Sequence, residues 1–141
     1  MRDMMLRKRR DTELFRAYQK ALKENNFSDQ REAVDYVRKH EAPRWFVSKE
    51  FCAAVISSWL RGKEFCKMRP NKKRKFKALY ELYVKLKQEF PYSVLNHLEL
   101  CATIVDMPAP EWFIDHQLAS RIISEQINIR NEQMASIYGR K

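Results

Sequence analysis

Glycine is almost absent from this chain: Gly62 and Gly139 are the only two in 141 residues. No Gly-rich phosphate loop can be built from them, and a turn-rich β architecture is disfavoured. No stretch approaches the ~20 consecutive apolar residues of a membrane span. The N-terminal segment Met1–Arg10 also lacks the apolar run of a secretory signal. Cysteine is sparse and odd in number: Cys52, Cys66 and Cys101 are widely spaced, which argues for reduced thiols in a cytoplasmic protein and against a disulfide framework. His40, His97 and His116 fall in separate segments with no Cys-x-x-Cys or His-x-x-x-His spacing, so neither a metal nor any other cofactor is expected. No nucleophile has a consistent local His partner, and the chain is expected to be non-enzymatic.

A repeat is present. Ala42-Pro43-Arg44-Trp45-Phe46 returns 67 residues later as Ala109-Pro110-Glu111-Trp112-Phe113. Val47 becomes Ile114 and Ser48 becomes Asp115, and Val55-Ile56-Ser57 returns as Ile122-Ile123-Ser124. Internal self-similarity at a fixed period points to duplicated structural units. The hydrophobic periodicity around the pentads is helical throughout. A first helix is expected from Asp11 or Thr12 to about Asn25, with Leu14, Phe15, Tyr18, Ala21 and Leu22 as its apolar stripe. Ser28 is expected to cap a second (Ala33, Val34, Tyr36, Val37), and Ser48 a third (Cys52, Val55, Ile56, Trp59, Leu60) that Gly62 closes. Pro70 is placed to start a fourth (Phe76, Leu79, Tyr80, Tyr83, Leu86). Ser93 is expected to cap a fifth (Val94, Leu95, Leu98, Cys101, Ala102, Val105), and Asp115 a sixth (Leu118, Ala119, Ile122, Ile123, Ile127) that weakens beyond Asn128 and frays over 138–141. Leu79 and Tyr83 correspond to Leu14 and Tyr18 at an offset of 65, so a small indel precedes the second helix of the unit.

The expected fold is all-α, with two tandem pseudo-symmetric three-helix units packed as one small domain. Its segments are a basic N-terminal arm (1–10), a first unit (11–62), a basic junction (63–71), a second unit (72–130) and a tail (131–141). The Trp-Phe pairs are expected to be buried anchors where a loop crosses between helices, and not stacking platforms for a ligand.

Charge is unevenly distributed. Of a net +10, the first ten residues hold +4 and the stretch Arg61–Lys77 holds +8, leaving −2 for the rest. Blocks of this kind mark a binding surface. Neutralising phosphates and releasing their counterions is the use that fits best. A membrane surface fits poorly, because no apolar insertion face accompanies the charge. The candidate phosphate contacts are Arg7, Lys8, Arg9 and Arg10 in the arm, and Arg61, Lys63, Lys67, Arg69, Lys72, Lys73, Arg74, Lys75 and Lys77 around the junction. Gln117, Arg121 and Asn128, on the polar side of the sixth helix, are candidates for base edges, since Arg, Asn and Gln can make bidentate contacts there. The expected partner is nucleic acid, DNA before RNA. An acidic protein partner is the alternative, the chain then acting as an interaction or structural factor of a phage or mobile element.

The twice-occurring Ala-Pro-x-Trp-Phe element, continued as Val-Ser and Ile-Asp, resembles a cadence in a group of small basic bacterial and phage proteins, over about Asp11 to Ile127. That resemblance implies no particular activity. In helix count and tandem layout the chain is also similar to Myb-like and homeodomain-like DNA-binding repeats. The loop of about eight residues before each third helix is longer than that of a helix-turn-helix, and no residue is carried over from those families.

Overall fold

The computed structural model describes the backbone over 2–138 and side chains over 4–137. Six helices lie among these residues: α1 (Arg2–Glu24), α2 (Gln30–Lys39), α3 (Lys49–Leu60), α4 (Pro70–Glu89), α5 (His97–Val105) and α6 (His116–Tyr138). No strand occurs among the described residues, only an isolated antiparallel bridge between Ala42 and Ala109. None of the helices is long and apolar enough to cross a membrane.

Most of the expected caps form. The Ser48 hydroxyl accepts from Phe51 N at 3.1 Å, and Asp115 Oδ1 from Leu118 N at 2.7 Å. Pro70 is the first residue of α4, where its missing N–H would have had no helical partner. Gly62 ends α3 with φ +73°, a region that L side chains rarely adopt. Two caps differ. Asp29, not Ser28, caps α2, because its carboxylate reaches Glu32 N at 2.9 Å while Glu32 returns a contact to Ser28 N. Asn96, not Ser93, caps α5 in a reciprocal arrangement with Glu99, so α5 starts later than expected. Val94 is thereby left outside the helix and 96% exposed, and Leu95 and Leu98 are also exposed.

The largest difference lies at the N-terminus. The basic segment expected to be an arm is the start of α1. Nothing between Arg2 and Asp11 breaks a helix, and Leu6 and Arg10 continue the spacing of Leu14, Tyr18 and Ala21, so the helix extends through them. At the far ends of their stripes Leu22 and Leu60 are exposed, as is Tyr36 at the rim of α2. The helix of the sixth segment runs on to Tyr138, with its side chains exposed from Asn128 to Ile137. Of the stretch 138–141 expected to fray, Tyr138 is still helical and 139–141 lie outside the described residues.

Packing does not follow chain order. α1 packs on α2 and α6, and α2 on α6; α3 packs on α4 and α5, and α4 on α5. The third helix of the 11–62 segment therefore leaves its predecessors and joins the two helices that follow it, and α6 returns to the first two. The chain crosses between these groups twice, at 40–48 and at 106–115. The crossings lie against each other: Ala42 N donates to Ala109 O and Ala109 N to Ala42 O, both at 2.9 Å. Trp45 N donates to Val105 O at the end of α5, and Trp112 N to Arg38 O near the end of α2, which satisfies terminal carbonyls of both helices. One continuous core joins both groups, with Leu14, Val34, Val55, Ile56, Phe76, Leu79, Ile104 and Ile123 among its fully buried side chains.

Candidate nucleic-acid interface

The pentads form the wall between the two helix groups. Trp45 stacks on Phe113 (centroids 5.7 Å, planes 15° apart) and Phe46 stacks on Trp112 (5.6 Å, 12°). Trp45, Trp112 and Phe113 are buried and Phe46 is partly so. Stacked in this way the rings hold the crossings together, and all four also line the cleft that lies against them. Phe46 and Phe113 share an unusual backbone, φ +54° and +56°. A bulky residue in this region is strained by about 1–3 kcal/mol, and the stacked pairs hold it there.

Against this wall lies a cleft of about 780 Å³. Its basic lining comes from both charged blocks: Arg7 and Arg10 from α1, Lys67 and Arg69 from the junction, and Lys72 and Lys75 from α4. Asp115 is the single carboxylate in the lining, and its oxygen is occupied as the α6 cap. A second groove of about 1060 Å³ runs between α1 and α6, but its charges are mixed, with Lys8, Lys23 and Arg130 facing Asp11 and Glu125. The basic cleft is therefore the one whose charged lining is predominantly of one sign.

The expected contact residues separate accordingly. Six of them line the basic cleft, as above. Lys8 faces the α1–α6 groove instead. Arg9, Arg61, Lys63, Lys73 and Lys77 are exposed outside the cleft lining. Arg74 is taken up by Glu111, which it grips with two nitrogens at 2.9 and 3.1 Å, while its guanidinium lies 5.4 Å from the Phe113 ring centroid. Lys72 lies over the Phe51 ring at 4.7 Å. Gln117, Arg121 and Asn128 are exposed on α6 and do not line the cleft.

Lys75 is the unusual member. The residue is partly exposed, yet its ammonium is buried, and its side chain reaches only the Phe46 carbonyl, at 3.5 Å. Burial, then the positive charges of Arg10 and Lys72, hold its pKa down at about 8.

Two polar clusters elsewhere have structural roles. Asp35 Oδ1 accepts from Arg38 Nε at 2.7 Å and from His116 Nδ1 at 2.8 Å, and His116 Nε2 is 3.2 Å from Ser120 Oγ. This connectivity matches an acid–base–nucleophile relay. However, none of the three residues lines either cavity, and Ser120 sits inside α6, where backbone N–H groups are committed to the helix. The cluster ties α2 to α6. His97 likewise links the Tyr83 hydroxyl and the Ala53 carbonyl, both at 2.8 Å, joining α5 to α4 and α3. Cys52 and Cys101 are buried, and a hydrogen bond between their thiols, with burial after it, pushes Cys52 far up, so it is an inert core thiol.

Comparison with known protein families, with curated proteins and with solved structures finds no match for this chain.

Proposed function

We propose that the protein binds nucleic acid, duplex DNA in the first place, as a non-catalytic accessory or regulatory factor that grips phosphates in the basic cleft. One observation carries this reading. Two basic runs some 60 residues apart in sequence meet on one concave surface, where six basic residues, one of them (Arg10) paired with Asp11, outnumber the single carboxylate of the lining, Asp115. Like charges brought together in a cleft repel one another, and a polyanion removes that repulsion while releasing its own counterions.

We also infer that the chain is an internal duplication whose units exchange their third helices. The support is a set of reciprocal pairs. Exchanging α1, α2 and α3 with α4, α5 and α6 maps every packed helix pair onto another packed pair. The same exchange maps Trp45–Phe113 onto Trp112–Phe46, and the bridge between Ala42 and Ala109 onto itself. At the offset of 65, Arg7 and Arg10 correspond to Lys72 and Lys75, and all four line the cleft. The cleft then lies on a local two-fold axis. A duplex has dyads of its own, and DNA-binding dimers use that match.

The reading is tested by retention of a random-sequence duplex at stepped salt concentrations. Binding that weakens steeply with salt is expected, whereas salt-independent retention, or none at low salt, rejects it.

A further inference from the structure

At the floor of the cleft, Lys75 has no carboxylate partner among the described residues. Asp11 is paired with Arg10, whose Nε and Nη2 both lie 3.1 Å from its Oδ1, so that Arg10 brings only part of its charge to the cleft, and Asp115 caps α6. The groups facing Lys75 are Arg10 from α1, Lys72 one turn earlier on α4, the neutral Cys52 thiol of α3 and the Phe46 carbonyl of the first crossing. Arg7, Lys67 and Arg69 line the same cleft further out. A buried ammonium ordinarily has a counter-charge or several acceptors; this one has two cations and one long contact to a carbonyl. The indole N–H groups of Trp45 and Trp112 are buried without a protein acceptor behind the cleft wall, closed off from the cleft, which makes them reporters of the site and not its ligands. Lys75 and Lys72 beside the partly neutralised Arg10 give this concave space an excess of positive charge, which suits an oxyanion.

We propose that the floor of the cleft is a discrete phosphate pocket, in which Lys75, Arg10 and Lys72 hold a single phosphate group. That the phosphate belongs to a nucleic-acid strand rests on the function proposed above; the pocket itself does not. One phosphate seated in this way positions the strand, and the outer cations then act on the neighbouring phosphates through the screened field.

The test uses the full chain and sulfate, a phosphate analogue whose charge is constant between pH 6 and 9.5. Sulfate is titrated at constant ionic strength while the indole N–H resonances are followed. Trp45 and Trp112 line the cleft and Trp59 does not, so a saturable shift of one or both cleft indoles is expected while Trp59 stays unmoved. Lys75→Gln should weaken sulfate at least tenfold, and so should Lys72→Gln in the same direction, at an exposed residue whose replacement leaves the core intact. In the parent the affinity should fall several-fold from pH 7 to pH 9.5 as the ammonium loses its proton, and Lys75→Arg should bind with no such fall. Linear, non-saturating shifts, or Lys75→Gln binding like the parent, overturn the pocket. The two readings fail separately. Sulfate bound through Lys75 with no affinity for any oligonucleotide keeps the pocket and removes the nucleic-acid reading. Salt-sensitive duplex binding that Lys75→Gln weakens no more than Lys63→Gln does the reverse. Oligonucleotides with and without a 5′-phosphate identify the source: a preference for the phosphorylated end assigns the pocket to a strand terminus, and equal binding assigns it to an internal phosphodiester.

Discussion

Replacing Trp112 with alanine removes half of one stacked pair at the place where the two crossings meet. The ring is 5% exposed, so nearly all of its surface is lost from the core, and Phe46 keeps a void where the indole lay 5.6 Å away. Deleting a buried aromatic of this size costs about 3–5 kcal/mol, of which roughly 0.5–1.5 belongs to the ring–ring contact. One contribution acts in the other direction. The indole N–H is buried without an acceptor in the protein, and a donor in that state costs about 1–3 kcal/mol. Trp112→Phe keeps most of the ring and removes the donor, so its loss should be under about 1.5 kcal/mol, well below that of the alanine variant. Urea melts followed by far-UV circular dichroism measure both. Taking off about 1 kcal/mol for the relieved donor leaves a loss of about 2–4 kcal/mol, so with a slope of about 2 kcal/mol per molar for a chain of this size, Trp112→Ala should lower the midpoint by roughly 1–2 M and Trp112→Phe by less than about 0.8 M. A loss below about 1 kcal/mol for Trp112→Ala would show that the ring does not hold the crossing, and the account of the pentads as anchors would be wrong.

Three other outcomes are expected. At Phe46, whose φ is +54°, glycine should be less destabilising than alanine by about 1–2 kcal/mol, because an L side chain is penalised in that region and glycine is not; alanine as the milder change in paired melts would contradict the strained backbone. Lys75→Met should raise stability at pH 7 by up to about 3 kcal/mol, since the fall from 10.5 to about 8 is worth roughly 1.4 kcal/mol per unit; the unfolded chain holds the extra proton between these values, so the parent recovers as pH rises from 8 to 10.5 and the gap between the two proteins should close there. Asp35 is held at about 2, below its ordinary 3.8, first by the hydrogen bond from Arg38 and then by that from His116; its contribution is present above pH 3.8 and lost as pH falls through 2, so the melting temperature of Asp35→Asn should fall less steeply than the parent's across that window, and parallel curves would count against the network.

Much of the helical layout was legible in the sequence, because helix boundaries here are set by local chemistry. Ser48, Gly62, Pro70 and Asp115 each act within their own turn. Ser28 and Ser93 were misleading because a better acceptor, Asp29 or Asn96, follows within a turn and pairs with a glutamate three residues on. The start of α1 was missed for a different reason. A run of arginines and lysines has good helix propensity but no apolar period, so the stripe became visible only at Leu14, although Leu6 and Arg10 extend it. That same shift hid the correspondence of Arg7–Arg10 with Lys72–Lys75, which the offset of 65 already contained. That α3 packs with α4 and α5, and α6 with α1 and α2, was not legible at all. The pentads announce that two loops are alike, but which helices each loop brings together depends on tertiary packing. Nor could spacing show that both charged blocks share one cleft, or that Arg74 is withdrawn from it by Glu111.

The most direct measurement is the salt dependence of binding to a random-sequence duplex for three proteins: the parent, a cleft variant (Arg7→Gln, Arg10→Gln, Lys67→Gln, Lys72→Gln), and a variant of equal charge change outside the cleft (Lys63→Gln, Lys73→Gln, Lys77→Gln, Arg121→Gln). Each phosphate contact removed should reduce the magnitude of d log K/d log[salt] by about 0.9. The account predicts a slope reduced by roughly 2–4 in the cleft variant, with the outside variant close to the parent. Equal losses in both variants would mean that net charge alone drives binding, and an unchanged slope in the cleft variant would mean that the nucleic acid does not lie in the cleft.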